Sequence, residues 1–598
     1  MNWMLIDIGS VQTKVTLLEK NEIWNILKTV KTKTTIESED KNAYVGVKRA
    51  IEEILKECQL NIEDINKVVV GSTAGGGLQM AVAGVVRNMT AESAWRAALG
   101  SGALVIDIIS GGSPVKQPER LNQFKSIKPD IILLAGGTEG GNVKQVLGLA
   151  ETINAANTKT RWGDEYASVV FAGNSEVREE VKSFLSNKID LKIAENIRPE
   201  LELEKIDTVN ETIQNLYMDK VAKNVSGFSN ISEAYNTEIK PIAPNMRYLV
   251  NQYSEFKGIN TIIIDVGGFT TDIYSSIEYI RRAYKRSVED GGEHINTGVG
   301  VVKERKSYTS IAADAGLNYS APRLVNKIGV SSILKWTSGL NEKEILNSVF
   351  TRMVNPLSED IYSDKLNKAL FASALKVGFL EHQQIASKLH GVGIVRSMNE
   401  TFAQEAVSEG TIAEWEAFDR AILTGGVIGS FSEKEVIQIF NDSLQPLGLI
   451  NVKLDKNDFW SQLALKENWE ESDLDYIDSQ LTSLVNIIAP KKIEALLIRN
   501  IATVTLQSKY ETKTCDVIKN EIEFIKIKGD TIKVTIKPHK KVDFGFGIGK
   551  PITKDIENAS YGFILDGRRP INDEFNEIKV NDWYGKGLSR LERGEHNE

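Results

Sequence analysis

Two segments of this chain repeat one pattern, and few folds accommodate it. Leu5-Ile6-Asp7-Ile8-Gly9-Ser10, followed by Thr13 and Lys14, and Ile263-Ile264-Asp265-Val266-Gly267-Gly268, followed by Thr270, Thr271 and Asp272, each run an apolar strand into an Asp, a glycine turn and hydroxyl side chains. Glycine lets backbone N–H groups approach an oxyanion closely, and the hydroxyls add donors at the same oxygens. Either segment alone also reads as a plain glycine hairpin. Together they predict two halves that face each other and grip one polyphosphate from opposite sides. Two carboxylates aimed at one place, Asp7 and Asp265, repel each other unless a divalent cation and its waters lie between them, and Mg2+ takes oxygen ligands of that kind. Lys14 is placed to neutralise phosphate charge.

The rest of the chain fits an α/β protein built of several units. At 598 residues it is long enough for about three to five domains. With 41 % hydrophobic and 26 % charged residues it can bury several cores, which excludes global disorder. Residues 3–8, 14–18 and 23–30 read as strands, 43–58 as a helix with apolar residues at steps of three and four, and 67–70 as another strand. From about Thr90 an Ala-rich helix begins. Strand-like runs at 103–109, 130–134, 168–171 and 191–193 then alternate with helices, the pattern of a parallel sheet covered on both faces. The expected divisions are therefore a first lobe over 1–95, an inserted Rossmann-like α/β unit over 96–200, a mainly helical connector over 201–258, a second lobe over 259–505 and a small β-rich unit over 506–598.

Charge and cysteine content narrow the chemistry. Lys and Arg total 72 against 81 Asp and Glu, a net charge of −9, which speaks against a dedicated nucleic-acid binder. Only Cys58 and Cys515 occur, too few for a disulfide framework, a CxxC zinc site or a four-Cys iron–sulfur ligand set, and the expected compartment is reducing. No run of 18 apolar residues is present, so a soluble, cytoplasmic protein is expected, with no membrane partner.

Ala421-Ile422-Leu423-Thr424-Gly425-Gly426 is a third strand ending in glycines, a surface on which a flat base can pack. Other glycine runs fit nucleotide motifs poorly. Phe544 and Pro551 spoil a P-loop reading of residues 545–550, and Gly75–Gly77 lack the dinucleotide spacing. Asp290-Gly291-Gly292-Glu293-His294 reads as an exposed turn before it reads as a water or metal site, and His382 with His390 reads as a packed or solvated pair. The loop from Asp130 to Asn142, between a strand and a helix, is either a tight turn or an anion site. None of the five histidines sits in the DxHxxG pattern that ligates cobalamin, so the chain is not expected to carry that cofactor as mutases do.

The three glycine segments, in this order, resemble the actin, Hsp70 and sugar-kinase ATPase superfamily. The resemblance implies a two-lobed actin/Hsp70-like ATPase fold of duplicated mixed sheets closing over ATP and Mg2+. Gly9, Ser10, Thr13, Lys14, Gly267, Gly268, Thr270 and Thr271 then contact phosphate, Gly425 and Gly426 contact adenosine, and Asp7 and Asp265 are both metal-holding and catalytic. Gly71-Ser72-Thr73 with the glycines after it, Thr90-Ala91-Glu92-Ser93-Ala94, Pro129-Asp130 through Gly140-Gly141-Asn142, Ala172-Gly173-Asn174 and Ile564-Leu565-Asp566-Gly567-Arg568-Arg569-Pro570 resemble a narrower family. That is the MutL or GlmL family of glutamate mutase accessory proteins, distinct from the mismatch-repair MutL. It implies a slow, chaperone-type ATPase that reactivates an adenosylcobalamin-dependent mutase or aminomutase by releasing damaged cobalamin. Glutamate mutase and ornithine or lysine aminomutase all remain open as clients, as does which Asp orients the attacking water. A small-molecule kinase and an actin-like filament former are the competing readings. The Lys-rich terminal unit is either a docking face for an acidic partner or simply solvated.

Overall fold

The computed structural model describes residues 1–598 except 37–40, 74–77, 102, 113–114, 142, 162–164, 186–187, 202, 290–291, 338, 356–362, 388–409, 495–496 and 570–598. Residues 75–77 and 290–291, with Asn142, His390 and Pro570, therefore lie outside the described residues.

The duplication is present in the strand order itself. In the first sheet Trp24–Lys33, Gln12–Lys20, Asn2–Ile8, Lys67–Ser72 and Ile239–Pro241 lie side by side in that sequence. The first three alternate antiparallel, and the last two run parallel to Asn2–Ile8. In the second, Gly292–Ala312, Thr271–Glu289, Thr261–Val266, Arg420–Thr424 and Gly448–Leu454 repeat that order and those directions. Thr482–Ala489, Phe563–Asp566 and Ile522–Ile525 extend it to eight strands. This is the two-lobed mixed-sheet architecture that the superfamily resemblance implies.

The central strands are apolar along their length because both faces are covered. Met4, Leu5, Ile6 and Ile8 are buried, as are Ile262, Ile263 and Ile264. Helix Ala43–Cys58 covers the outer face of the first sheet through Val47, Ala50, Ile51 and Ile54, and its first turn is fixed by the Asn42 side chain, which accepts from the Tyr44 N–H. On the outer face of the second sheet, helix Ser363–Ile385 packs Leu366, Leu370 and Leu375 among Ile264, Ile273 and Leu423. Between the lobes lies one shared core. Leu5, Leu18 and Trp24 from the first sheet and Ile263, Tyr274 and Ile422 from the second meet helix Ile242–Lys257 and Trp460, Leu463 and Leu465 there. The lobes are thus joined through a common apolar block, and the crevice lies at the strand ends above it.

Outside this pair sit two larger sheets and a short antiparallel pair, Lys492–Ile493 with Val542–Asp543. Ala103–Ser110, Leu78–Gly84, Ile131–Ala135, Ser168–Phe171 and Leu191–Ile193 form a wholly parallel sheet, with a separate apolar cluster on each face. Thr512–Ile518, Asn500–Gln507, Thr531–Pro538 and Ile552–Glu557 form an antiparallel sheet. It buries one face against Leu449, Ile488, Phe563 and Leu565 of the second lobe. In the second lobe the strand after Asp265 pairs into one long hairpin, Thr271–Glu289 with Gly292–Ala312.

Candidate active site

Each hairpin presents its site from one row of cross-strand neighbours. In the first lobe the row is Gly71, Asp7, Lys14, Lys31, and in the second it is Thr424, Asp265, Asp272, Ile311. The turns are closed alike: Gly9 N–H donates to the Gln12 carbonyl at 3.0 Å and Gly267 N–H to the Thr270 carbonyl at 2.9 Å. A β-carbon on Gly9 would stand 2.8 Å from the Gln12 carbonyl oxygen, so that turn admits only glycine.

Both turns line one cavity of about 850 Å³, a volume suited to a small ligand or cofactor. Asp7, Gly9, Ser10, Lys14, Asp265, Gly267, Gly268, Thr270 and Gly426 are in its wall. Thr13, Thr271 and Gly425 are not. Thr13 and Thr271 each precede a cavity-lining residue by one position, and the pleat of a strand sends such neighbours to opposite faces. The Thr13 and Thr34 hydroxyls share a hydrogen bond of 3.0 Å, and the Thr271 hydroxyl donates to the Ala315 carbonyl at 2.6 Å. Gly425 has φ +116°, and a β-carbon there would lie 2.5 Å from Asp265 Oδ1. Its role is to let the strand end pass directly against that carboxylate.

The cavity's chemistry is that of buried acids around one lysine. Asp7 is 3 % exposed and is held by the Ser461 hydroxyl at 2.8 Å and the Gln462 amide at 3.4 Å, with Lys14 Nζ at 3.6 Å. Burial raises its pKa and Lys14 offsets only part of the rise, while its Oδ1 is buried without a hydrogen-bond partner. Burial also pushes the Asp265 carboxyl well up, with Asp458, Asp272 and Asp7 adding to the rise against Lys14. Asp272 is pushed up to about 7, chiefly by burial and then by Asp7, against hydrogen bonds from Thr270 and Tyr274. For Lys14 burial works the other way, yet the carboxylates of Asp458, Asp7 and Asp265 outweigh it and hold the ammonium charged.

This donor set fits a hydrated divalent cation. No group of three acids or histidines compact enough to hold a bare ion occurs among the described residues. Mg2+, however, keeps several waters and is held through one or two carboxylates together with substrate phosphates. The orphaned Asp7 Oδ1 and the partly exposed Asp265 are such carboxylates. Gly426, Ser430, Phe431, Lys368 and Glu435 also line the cavity, and the Lys368 and Glu435 side chains pair at 2.5 Å.

Residues absent from the sequence-based site complete it. Asp272 lay in the motif but was given no role. Asp455, Asp458, Ser461 and Gln462 come from the segment after strand Gly448–Leu454, which crosses from the second sheet to the first. Asp455 accepts from Thr424 Oγ1 and from the N–H groups of Asp458, Phe459 and Trp460. The signal for them was available: Leu449-Ile450-Asn451-Val452-Lys453-Leu454-Asp455 is a third strand running into an Asp.

Comparison with known proteins agrees with the narrower resemblance. A sequence profile described as MutL protein matches residues 3–465, a span containing both hairpins, the Gly425-Gly426 turn and the crossing segment. Protein MutL of Clostridium tetanomorphum is 32 % identical over 345 residues, covering 56 % of this chain and 68 % of that protein. Among solved structures, nucleotide-free acetone carboxylase is 12 % identical with a TM-score of 0.35, covering 86 % of this chain and 81 % of that chain. The activator of 2-hydroxyisocaproyl-CoA dehydratase from Clostridium difficile, with bound ADPNP, is 11 % identical with a TM-score of 0.26, covering 80 % and 97 %. Both overlaps are loose. On the profile, which takes in more than half of its length, the chain belongs to the MutL protein family.

Proposed function

We propose that the cavity binds ATP with Mg2+ and hydrolyses it slowly, and that the cycle drives reactivation of an adenosylcobalamin-dependent mutase or aminomutase. The observation that carries this reading is that Asp7 and Asp265, from equivalent positions of two identically ordered sheets, line one cavity with Lys14 between the facing hairpins. Backbone N–H groups at Gly9, Ser10, Gly267 and Gly268, and the Thr270 hydroxyl, receive phosphate oxygens. Lys14 neutralises them. Asp7 and Asp265 hold the hydrated cation, which supplies charge neutralisation at the phosphates when bound. One of the two carboxylates orients the attacking water. The base packs on Gly426, and the paired Lys368 and Glu435 meet the sugar hydroxyls.

The step from ATPase to reactivating factor rests on the family and on the two-lobed build. Lobes joined by a shared core and closing on a triphosphate convert hydrolysis into a change of affinity for a partner surface. Releasing a damaged cofactor from a client requires such a difference. The work is placed in the cytoplasm, and no helix among the described residues is long and apolar enough to cross a membrane.

Two measurements test this. Mg-ATP should raise the melting temperature of the wild-type protein and leave the Asp7→Ala, Asp265→Ala double variant unchanged; no shift in the wild type would remove the nucleotide. Affinity capture from the source cell should recover a cobalamin-dependent mutase subunit in an ATP-dependent manner. ATP-dependent phosphorylation of a small acceptor, with no client captured, would assign the chain to the kinases instead.

A further inference from the structure

Asp458 is not in the cavity wall but pairs with Lys14, which is, and its carboxylate has so far entered only through the charge it lends that lysine. It is 1 % exposed and sits at φ +57°, in the left-handed region. Its carboxylate takes Lys14 Nζ at 2.8 Å and Lys31 Nζ at 3.3 Å. Those lysines are direct cross-strand neighbours, a juxtaposition of like charge that a sheet does not tolerate without a counter-ion. Asp458 also reaches the second lobe. Its N–H donates to Asp455 Oδ1 at 2.8 Å, and Thr424 Oγ1, immediately before Gly425-Gly426, donates to Asp455 Oδ2 at 2.9 Å. Three residues further on, Ser461 holds Asp7.

From this geometry we infer that Asp458 is a positioning residue that acts through Lys14: it is an ionic latch that holds the phosphate-contacting lysine in the empty site and passes to Lys31 alone when a polyphosphate draws Lys14 away. The inference rests on the reading of Lys14 as a phosphate ligand. Lys31 is half-exposed and extends from the outer strand, so it remains on Asp458 when Lys14 leaves. Without Lys31, the departure of Lys14 would strand a buried, unpaired carboxylate, which strongly opposes the exchange. Without the Asp458 charge, the nearest competitor with phosphate for Lys14 is gone and only the more distant Asp7 remains, but Lys14 is no longer fixed for turnover. Because the crossing segment links Thr424 to Asp7, this exchange is felt in both lobes at once.

The test is a double-mutant cycle read by isothermal titration with ADPNP in excess MgCl2 and, separately, by steady-state ATP turnover. Asn is well accepted in the left-handed region, so Asp458→Asn preserves the backbone. Asp458→Asn should tighten ADPNP at least fivefold while lowering kcat at least tenfold. Lys31→Met should weaken ADPNP about fivefold. In the Asp458→Asn background the Lys31→Met change should have less than a twofold effect, since the charge it served is gone. A general field effect would make the two changes additive, and additivity overturns the latch. So does weaker binding by Asp458→Asn. If Asp458→Asn fails to fold, an unchanged affinity in Lys31→Met, an exposed-edge substitution, is enough to overturn it. Absence of ADPNP binding by the wild type instead removes the nucleotide reading itself, whereas wild-type binding with an additive cycle leaves that reading standing and removes only the latch.

Discussion

The two hairpins are superposable in topology and opposite in charge. Across the first sheet the row reads Gly71, Asp7, Lys14, Lys31; across the second it reads Thr424, Asp265, Asp272, Ile311. The residue facing the equivalent Asp across its hairpin is thus a cation in one lobe and a second acid in the other. A duplicated scaffold has been divided into a half that neutralises and a half that concentrates negative charge. Polyphosphate with its cation needs both: positive charge against phosphate oxygens and paired carboxylates against the hydrated metal. A symmetric pair of hairpins would supply one and lack the other.

The sharpest way to break this comparison is to remove each Asp singly. Asp7→Asn and Asp265→Asn should each lower ATP turnover by about 10²- to 10³-fold, the range for losing one preorganised group that stabilises transferring charge. Single-turnover hydrolysis measures it. Equal retention of turnover in both variants would mean that the hairpins are not the catalytic halves.

Next in size is the effect of Asp272 on stability. Burial above all pushes its carboxyl from the ordinary 3.8 up to about 7 in the fold, so the folded state holds its proton where the unfolded chain has lost it. Stability from this group is complete below pH 3.8 and is lost as pH rises through about 7. In chelator, without nucleotide, Asp272→Asn should match the wild type near pH 4 and exceed it by on the order of 3 kcal/mol at pH 8. Urea unfolding at several pH values reads the difference; a gap of constant size across that window would show that Asp272 is charged throughout. Such a stabilised variant should weaken cation-dependent nucleotide binding, because it removes one of the negative charges that face the cation site, the usual exchange of stability for function.

Lys14→Met carries the third expectation: about tenfold weaker ADPNP, matching the loss of one charge-assisted hydrogen bond. If Lys14→Met and Asp272→Asn weakened binding equally and in the same salt-dependent way, the assignment of opposite charges to the two halves would fail.

How much of this was legible in the sequence follows from where each signal lives. The strands bearing Asp7 and Asp265 stood out because continuous apolar runs ending in Asp-x-Gly are local, and a strand buried on both faces needs such a run. Lys14 could be read for the same reason, being seven residues from Asp7 on the return strand. The Thr13 and Thr271 assignments missed the cavity because one residue of register decides the face of a strand, and only the turn geometry sets that register. Asp458, Ser461 and Gln462 went unread because they reach the site from a segment more than four hundred residues away along the chain, across the shared core.

The smallest predicted effect is also the most direct check on register. Thr13→Val and Thr271→Val keep shape and remove one buried hydroxyl each, from equivalent positions on the faces turned away from the cavity. Each should cost about 1 kcal/mol of stability, the net worth of a buried hydrogen bond, with the partner's remaining polar group adding to the loss. ADPNP affinity should move by less than twofold in both. Because the Ala315 carbonyl loses the hydroxyl it accepts from, the loss of Thr271 should be felt slightly more than that of Thr13, whose partner Thr34 still donates to the Gly9 carbonyl at 2.8 Å. A tenfold loss of affinity in either variant would mean that the strand rotates its hydroxyl into the cleft when nucleotide binds, and the pleat of the two hairpins would then differ between the empty and the filled site.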